Sequence, residues 1–445
     1  MSKIKTSLLR NVIIPFGDLI FGQKMMRRIN FLEEAQYWPL EKINERRARD
    51  LQALIQTAYS EVPIYHQSMN QVGVQPGDIN TLDDISKLPI ITKEILRAGY
   101  PKQTTRSTGR KVYQASTSGS TGKNFYVMED NLTAGWYRAS FILSLEWAGW
   151  EIGEPHLQLG MTINRSLERQ LKDLFFGCQY VSAYQLDDEH LSTMLDIIDQ
   201  HQIKYIMGYP GSLYFLAKYA IEQGWNQPLR SIVTWGDTLY PHYRETITKA
   251  FSTKVFDTYG CAEGIQISAQ CAHGNYHIHT LDTIVEFLDD NGNPVPPGET
   301  GNIVLTRLHP GPMPFIRYQL GDLGVPSTDD CCSCGRTFPT MNSIQGRNAD
   351  VVLTPSGNRL IVHFFTGILE HFCEINSFQV VQQNEETINI LIVPNDHISD
   401  DRLDEIRFAL QTRGADDMNI CFNIVDQIPL PSSGKHRFVI NKTVE

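Results

Sequence analysis

Short apolar runs that end in glycine-containing turns alternate with helical patterns between residues 110 and 240, and that alternation predicts an α/β fold. The pattern then changes to hairpin-like β segments from 275 to 325. A compact tail of about 95 residues closes the chain with mixed strand and helix patterns. The expected architecture is a large N-terminal α/β domain with a β subdomain, followed by a small α+β domain.

Taken in order, residues 46–60 place Leu51, Leu54, Ile55 and Ala58 at helical spacing, with charge on the other face. Val62-Pro63 ends that helix, and Thr81-Leu82-Asp83-Asp84 reads as a helix cap. Residues 203–207 read as a buried strand before the turn Gly208-Tyr209-Pro210-Gly211, and residues 212–223 as a helix. Residues 231–235 read as the next strand, before Gly236-Asp237. Turns at such strand ends are where open α/β sheets hold ligands. Residues 284–288 and 301–306, with Asp290-Asn291-Gly292 between them, read as a hairpin. In the tail, 378–381, 388–392 and 420–425 read as strands and 401–412 as a helix. These patterns suggest an N-terminal extension over 1–45, a large domain over 46–349 and a C-terminal domain over 350–445.

The chain has 445 residues, 41% hydrophobic and 20% charged, with a formal net charge of −11. That balance suits a globular protein and argues against a nucleic-acid partner, because an acidic chain repels a polyanion. Eight cysteines occur, and Cys331, Cys332 and Cys334 crowd together. With no secretory signal in view, such crowding suggests a metal site in a cytoplasmic protein. The stretch from Leu8 to Phe21 is apolar and flanked by basic residues, but it contains Pro15 and Asp18 and is too short to span a bilayer. It is expected to pack as an N-terminal extension, with at most peripheral membrane contact.

The run Ser116-Thr117-Ser118-Gly119-Ser120-Thr121-Gly122-Lys123 carries the first chemical signal. Small residues let backbone N–H groups approach phosphate oxygens, hydroxyls add donors, and the lysine adds charge. The pattern GxxxxGK[ST] is absent, so this is not the P-loop of other nucleotide hydrolases. On composition alone such a run serves equally well as a flexible linker. Four further motifs follow in order: Tyr259-Gly260-Cys261-Ala262-Glu263, Arg317-Tyr318-Gln319-Leu320-Gly321-Asp322, Gly346-Arg347-Asn348-Ala349-Asp350 and Pro431-Ser432-Ser433-Gly434-Lys435.

This ordered set resembles the adenylate-forming superfamily of acyl-CoA synthetases, luciferases and adenylation domains. Within it the chain is similar to the phenylacetate-CoA ligase family. Val62-Pro63-Ile64-Tyr65 and Leu88-Pro89-Ile90-Ile91-Thr92-Lys93 match that family's N-terminal region, so the likeness runs from about residue 46 to the end. The resemblance implies a fold with a mobile C-terminal domain, and ATP and Mg²⁺ as cofactors. It implies that a carboxylic acid is activated as an acyl-adenylate with release of pyrophosphate. In its terms Glu263 holds Mg²⁺, Asp322 accepts hydrogen bonds from ribose hydroxyls, Tyr259 stacks on adenine, and Gly236 and Asp237 border the base. Gly260 and the Ser116–Lys123 loop complete the nucleotide site, with Thr117 placed at the reacting phosphates. Arg347 contacts ribose or phosphate, Asp350 is the hinge, and Lys435 bridges the acid and the α-phosphate. A homodimer is the family expectation.

The acceptor is open at this level. After the hinge, many CoA ligases carry a basic, glycine-containing strand-turn, whereas here the run is Val351-Val352-Leu353-Thr354-Pro355-Ser356-Gly357-Asn358-Arg359. That version looks more like relatives found with capsular-polysaccharide genes. The acyl group would pass to CoA, or to an amine or hydroxyl. The acid pocket is expected between Gly208-Tyr209-Pro210 and Trp235, with Tyr240 and Phe125 near it, and aromatic walls would suit an aryl acid. Cys271, His277, Cys332 and Cys334 form a candidate structural zinc set of three thiolates and one imidazole. His273 or His279 could stand in for His277, and Cys331 for a neighbour. Some bacterial members of the family carry a similar set.

Overall fold

The structure is a computed structural model, and it describes residues 2–118, 124–160, 165–183, 186–328, 331–347, 351–356, 359–360, 362–369, 372, 374–395, 397–428 and 437–443. The chain opens with helices α1 (Ser2–Leu8), α2 (Ile14–Phe21) and α3 (Met25–Ala35), with a π-helical turn at Leu9–Ile13 joining the first two. Asp18 caps α3, accepting from the N–H groups of Met25 (2.7 Å) and Met26 (2.8 Å), which accounts for one carboxylate inside an apolar run. Leu9, Ile14, Ile29 and Leu32 are buried in one core with Trp136, Val233 and Phe256, so the N-terminal extension has an inner face in the main body. Among the described residues no helix is long and apolar enough to cross a membrane.

Helices α4 (Leu40–Glu61) and α5 (Pro63–Gln71) follow, with Pro63 at the first turn of α5, where its missing N–H costs nothing. Residues 83–87 form a 3₁₀ turn rather than a full α-helix, and Asp84 binds the N–H groups of Asn80 and Thr81. Helix α6 (Lys93–Gly99) precedes a hairpin of β1 (Val112–Ser118) and β2 (Asn124–Asp130), and α7 (Asn131–Trp147) starts at Asp130, whose carboxylate caps it.

The main sheet has two halves. Its parallel half comprises β3 (His156–Gly160), β4 (Cys178–Ser182), β5 (Tyr205–Gly208), β6 (Ser231–Thr234) and β7 (Lys254–Cys261), in spatial order β7-β6-β5-β3-β4. The connecting helices are α8 (Leu167–Phe176), α9 (Asp188–Gln200), α10 (Pro210–Glu222) and α11 (Pro241–Phe251). Every residue of β5 and β6 is buried, as expected of strands covered on both faces. The antiparallel half continues through β8 (Ile265–Gln270), β9 (Tyr276–Ile278), β10 (Thr283–Leu288), β11 (Gly301–Arg307), β12 (Tyr318–Pro326) and β13 (Thr340–Arg347). Its order from β7 is β8-β9-β13-β12-β11-β10. Strand β7 is therefore the seam, parallel to β6 on one side and antiparallel to β8 on the other.

The tail holds a short pair, β14 (Val352–Leu353) and β15 (Arg359–Leu360), then α12 (Val362–Leu369), β16 (Ile375–Gln382), β17 (Thr387–Pro394), α13 (Asp400–Leu410), β18 (Asn419–Ile424) and β19 (Val439–Asn441). The four longer strands form a separate sheet, β18-β17-β16-β19, over a core that includes Phe378, Ile390, Ile406 and Leu410. Tyr240 of the large domain joins that core, edge-on to Phe438 at 4.9 Å.

One buried acid marks the seam strand. Asp257 accepts from Thr234 Oγ1 (2.5 Å) and Tyr276 Oη (2.6 Å), yet burial still pushes its carboxyl up to about 6. A raised folded-state value means that its stabilising contribution is complete below the unfolded value and is lost as pH rises through about 6. Asp257→Asn should therefore gain stability relative to the parent as pH rises from about 4 to about 7, by up to about 3 kcal/mol. Paired thermal melts across that range would check this, and a pH-independent difference would refute it.

Candidate active site

The carboxyl ends of three neighbouring parallel strands meet at one edge of the sheet. Gly208 of β5 pairs with Thr234 of β6, and Thr234 pairs with Asp257 of β7. The residues just beyond, Tyr209, Gly236 with Asp237, and Tyr259 to Glu263, are thereby brought side by side. Gly236 has φ +75°, and a Cβ there would stand 2.7 Å from the Tyr209 ring, so a larger residue would displace the aromatic. A register shift between Tyr259 and Gly260 marks a bulge at the end of β7, the kind of irregularity that re-aims side chains near sites. The turn from Cys261 to Gly264 then presents Glu263. Gly264 has φ +78°, and a Cβ there would fall 1.9 Å from the Glu129 carboxylate.

Glu263 is 2% exposed. Its Oε1 accepts from Tyr318 Oη at 2.7 Å and lies 3.2 Å from Lys93 Nζ. Lys93 begins α6, whose N-cap Thr92 accepts from the Ile95 N–H. Nearby, Tyr259 Oη donates to Asp322 Oδ2 at 2.6 Å. Burial holds both phenols well above their usual range, and the adjoining carboxylates push the same way, so both tyrosines are neutral donors at neutral pH. Burial, then the Glu263 charge, likewise raises the Cys261 thiol far enough to keep it protonated. The site thus presents two carboxylates, each fixed by one buried phenol.

The first three residues of the Ser/Thr/Gly run end β1. The backbones of Ser116, Thr117 and Ser118 pair with Tyr126, Phe125 and Asn124. Gly119, Ser120, Thr121, Gly122 and Lys123 fall outside the described residues, as do Asp350, Lys435 and the Arg347 side chain. The Arg347 backbone pairs with Asp322 across β12 and β13. Phe125 roots the hairpin: it is fully buried, 6.4 Å from and nearly parallel to the Tyr318 ring, so it is core and not pocket wall. Tyr240 is also committed elsewhere, to the core of the tail. The aromatic wall beside Gly236 is Tyr209 with Trp235, which packs edge-on to Phe141 at 5.5 Å.

Lys93 and Tyr318 stand inside two of the quoted motifs, but the sequence assigned neither a role. They lie far from Glu263 along the chain, and only the fold couples them to it. Arg317 opens the same motif as Tyr318 but does not face the site. Its guanidinium binds Glu286 (2.9 Å) and the carbonyls of Ser86 (3.1 Å) and Leu88 (2.6 Å).

The Cys/His cluster is separate. One donor atom from each of Cys271, His277, Cys332 and Cys334 lies within 4.8 Å of the others. Cys271 Sγ and Cys332 Sγ are 3.6 Å apart, and Cys334 Sγ is 3.2 Å from His277 Nε2. A tetrahedral zinc with Zn–S of about 2.3 Å has S···S edges of about 3.8 Å, so the donor set fits such an ion. His277 Nδ1 lies 2.9 Å from the Phe338 carbonyl, which can only accept, so Nε2 carries the free lone pair facing the thiols. His279 is not among the four clustered donors, and its Nε2 bonds Ser144 Oγ at 2.8 Å. His273 bonds Ser333, and Cys331 is exposed.

Residues 174–311 match the family described as AMP-binding enzyme, and residues 352–442 match the CapK C-terminal domain. With the fold and the site, these matches mark the class the chain resembles, the adenylate-forming enzymes. Its relatives include Protein CapK of Staphylococcus aureus, 24% identical over 81% of each chain. They also include the phenylacetate-coenzyme A ligases of Thermus thermophilus, 24% identical over 80% of this chain and 82% of that one, and Escherichia coli, 26% identical over 71% and 74%. Among solved structures, 2-hydroxyisobutyryl-CoA ligase in its postadenylation state has the same fold, with TM-score 0.73 and 19% identity over 92% of this chain and 91% of that one.

The Lys93–Glu263 pair has a direct energetic test. Lys93→Met leaves a buried carboxylate with one neutral donor and should cost about 2 kcal/mol. Glu263→Gln in the same background should recover part of it, giving a coupling of at least ~1 kcal/mol in a double-mutant cycle read by thermal unfolding. Additive effects would show that the pair is energetically idle.

Proposed function

We propose that the chain uses ATP to activate a carboxylic acid as an acyl-adenylate and then transfers the acyl group to CoA. The observation that carries this reading is the buried Glu263 carboxylate, fixed by Tyr318 and Lys93 at the strand ends, beside the Tyr259–Asp322 pair. In the first step an acid oxygen bonds to the α-phosphorus, the bond from that phosphorus to the bridging oxygen breaks, and pyrophosphate leaves. Two anions must meet, so the site has to supply positive charge and alignment. Glu263 would hold Mg²⁺, which neutralises phosphate charge when bound. Asp322, already oriented by Tyr259, would accept from the ribose hydroxyls. The run Gly119–Lys123 would wrap the departing phosphates, and Lys435 would bridge the acid and the α-phosphate. Asp350 would be the hinge about which the tail moves to admit the acceptor. In the second step the CoA thiolate attacks the acyl carbon and AMP leaves.

Tyr209, Trp235 and Phe141 favour a flat or aryl acid. The run over residues 351–359, which departs from the basic strand-turn of many CoA ligases, supports a second reading for the last step, in which an amine or hydroxyl takes the acyl group in place of CoA. Cys271, His277, Cys332 and Cys334 would hold a structural Zn²⁺ as a closed four-ligand site, with no part in the chemistry.

Acid-dependent pyrophosphate release across a panel of aryl and alkyl carboxylates should be seen in the parent and fall by about 10²-fold or more in Lys435→Ala. Release that is absent throughout, or unchanged in the variant, would sink the activation reading. Adding CoA, then simple amines, to preformed acyl-AMP separates the acceptors, since a CoA ligase must discharge it to CoA far faster than to water.

Metal analysis of the purified full chain should find about one zinc per molecule, dropping to background in Cys332→Ser/Cys334→Ser. Equal trace zinc in both would count against the site.

A further inference from the structure

Two apolar helical stripes lie exposed beside one another at the edge of the parallel sheet. On the N-terminal helices, Leu9 and Ile14 face inward, whereas Ile4 is 79%, Phe16 64%, Leu19 83% and Ile20 60% exposed. On α8, Leu167, Leu171 and Leu174 stand at helical spacing on one side and are 77%, 57% and 73% exposed. No residue of α8 is buried, so this helix turns its apolar stripe to solvent and not onto the sheet. That inverts the usual arrangement of a surface helix. The two stripes adjoin. Lys172 Nζ sits 5.8 Å from the Phe21 ring, Leu9 and Lys5 lie beside Gly153, and Lys5 also lies beside Gly177, which follows α8.

The charge around this patch differs from that of the rest of the molecule. Residues 2–28 contain six basic residues and one acid, in a chain of net charge −11. The acid, Asp18, is occupied in capping α3, just as Arg10 is paired with Glu33 and Glu146 and Arg28 is buried. Lys24 and Arg27 are exposed immediately after the apolar stripe, whereas Lys172 on α8 is paired with Glu168 at 2.6 Å. A second copy docked on this face would oppose like charges across the contact. A bilayer with anionic headgroups accepts the apolar side chains and the basic rim together.

We propose that the outer faces of α1–α2 and α8 form a membrane-surface docking site for anionic lipid. The chain lies on the bilayer through this face and does not cross it. The surface is independent of the acid-activation reading.

The test uses the full chain with sedimented phosphatidylcholine vesicles, alone and with about one-third phosphatidylglycerol. The parent should pellet with the anionic vesicles, stay in solution with the neutral ones, and be released by high salt. Leu19→Ser/Ile20→Ser and Leu171→Ser/Leu174→Ser should each abolish pelleting. Lys24→Glu/Arg27→Glu should weaken it about fivefold or more for each charge. These positions are exposed, so thermal melts should match the parent and show that the fold is intact. Failure to pellet with anionic vesicles overturns the proposal, as does pelleting that survives the serine substitutions. A vesicle-independent dimer that the same substitutions dissolve also overturns it, because the face would then be an interface between copies.

Discussion

A carboxylate almost out of water at the end of β7 constrains much of what surrounds it. Removing Glu263 from solvent is costly unless partners with good geometry surround it, and losing one partner costs more than the pair gains on forming. Tyr318 and Lys93 therefore have to be in place for the seam of the sheet to exist in this form. Their placement is not local. Ile91 bridges to Tyr318, accepting from the Gln319 N–H and donating to the Arg317 carbonyl, both at 2.9 Å. Arg317 adopts φ +42°, and its guanidinium ties Glu286 to the carbonyls of Ser86 and Leu88. That clamp holds residues 86–93 alongside β12 and so carries Lys93 to Glu263. Arg317 acts through position, which explains how a motif arginine can matter at this site without facing it.

The same geometry explains which parts of the fold were legible in sequence. Strands β5 and β6 read directly, because a continuous apolar run before a glycine turn has few other uses in an α/β chain. Helix α4 and the tail strands read from their period for the same reason. The 3₁₀ turn at 83–87 read as a helix cap because its first residues carry cap chemistry, although only Asp84 uses it and no full helix follows. The site was legible as residues and not as connections. Glu263, Asp322 and Tyr259 stand out in their motifs, yet the two phenol–carboxylate bonds join residues more than fifty positions apart. No periodicity or spacing encodes such a contact. Aromatic placement failed in the same way: Phe125 and Tyr240 sit close in sequence to site elements, but packing on Tyr318 and on the tail takes them out of the pocket.

The cysteine cluster shows how a structural ion could bear on the sheet itself. Strands β9 and β13 are joined by only two residue pairs, Thr340 with His277 and Met341 with Tyr276. That short ladder carries the whole outer run of β13, β12, β11 and β10, including Asp322. The four donors bracket it, since Cys271 and His277 flank the turn into β9 while Cys332 and Cys334 lie on the loop into β13. A closed metal site there would add its binding free energy at the weakest join between Glu263 and Asp322.

The N-terminal stretch shows where composition stops being informative. As a string, Leu8 to Phe21 is an apolar run with a proline and an acid, for which packing is the expected account and surface contact the lesser one. The structure divides it into two faces. Leu9 and Ile14 satisfy the packing account, and Asp18 is consumed as a helix cap, which removes the charge that argued against apolar contact. The outer face is then as apolar as the inner one, and α8 doubles its width from a distant part of the chain. Packing alone needs one face of a helix, so the second stripe requires an explanation of its own. Its exposed basic residues, Lys24 and Arg27, on a chain of net charge −11, favour anionic lipid at this edge of the molecule.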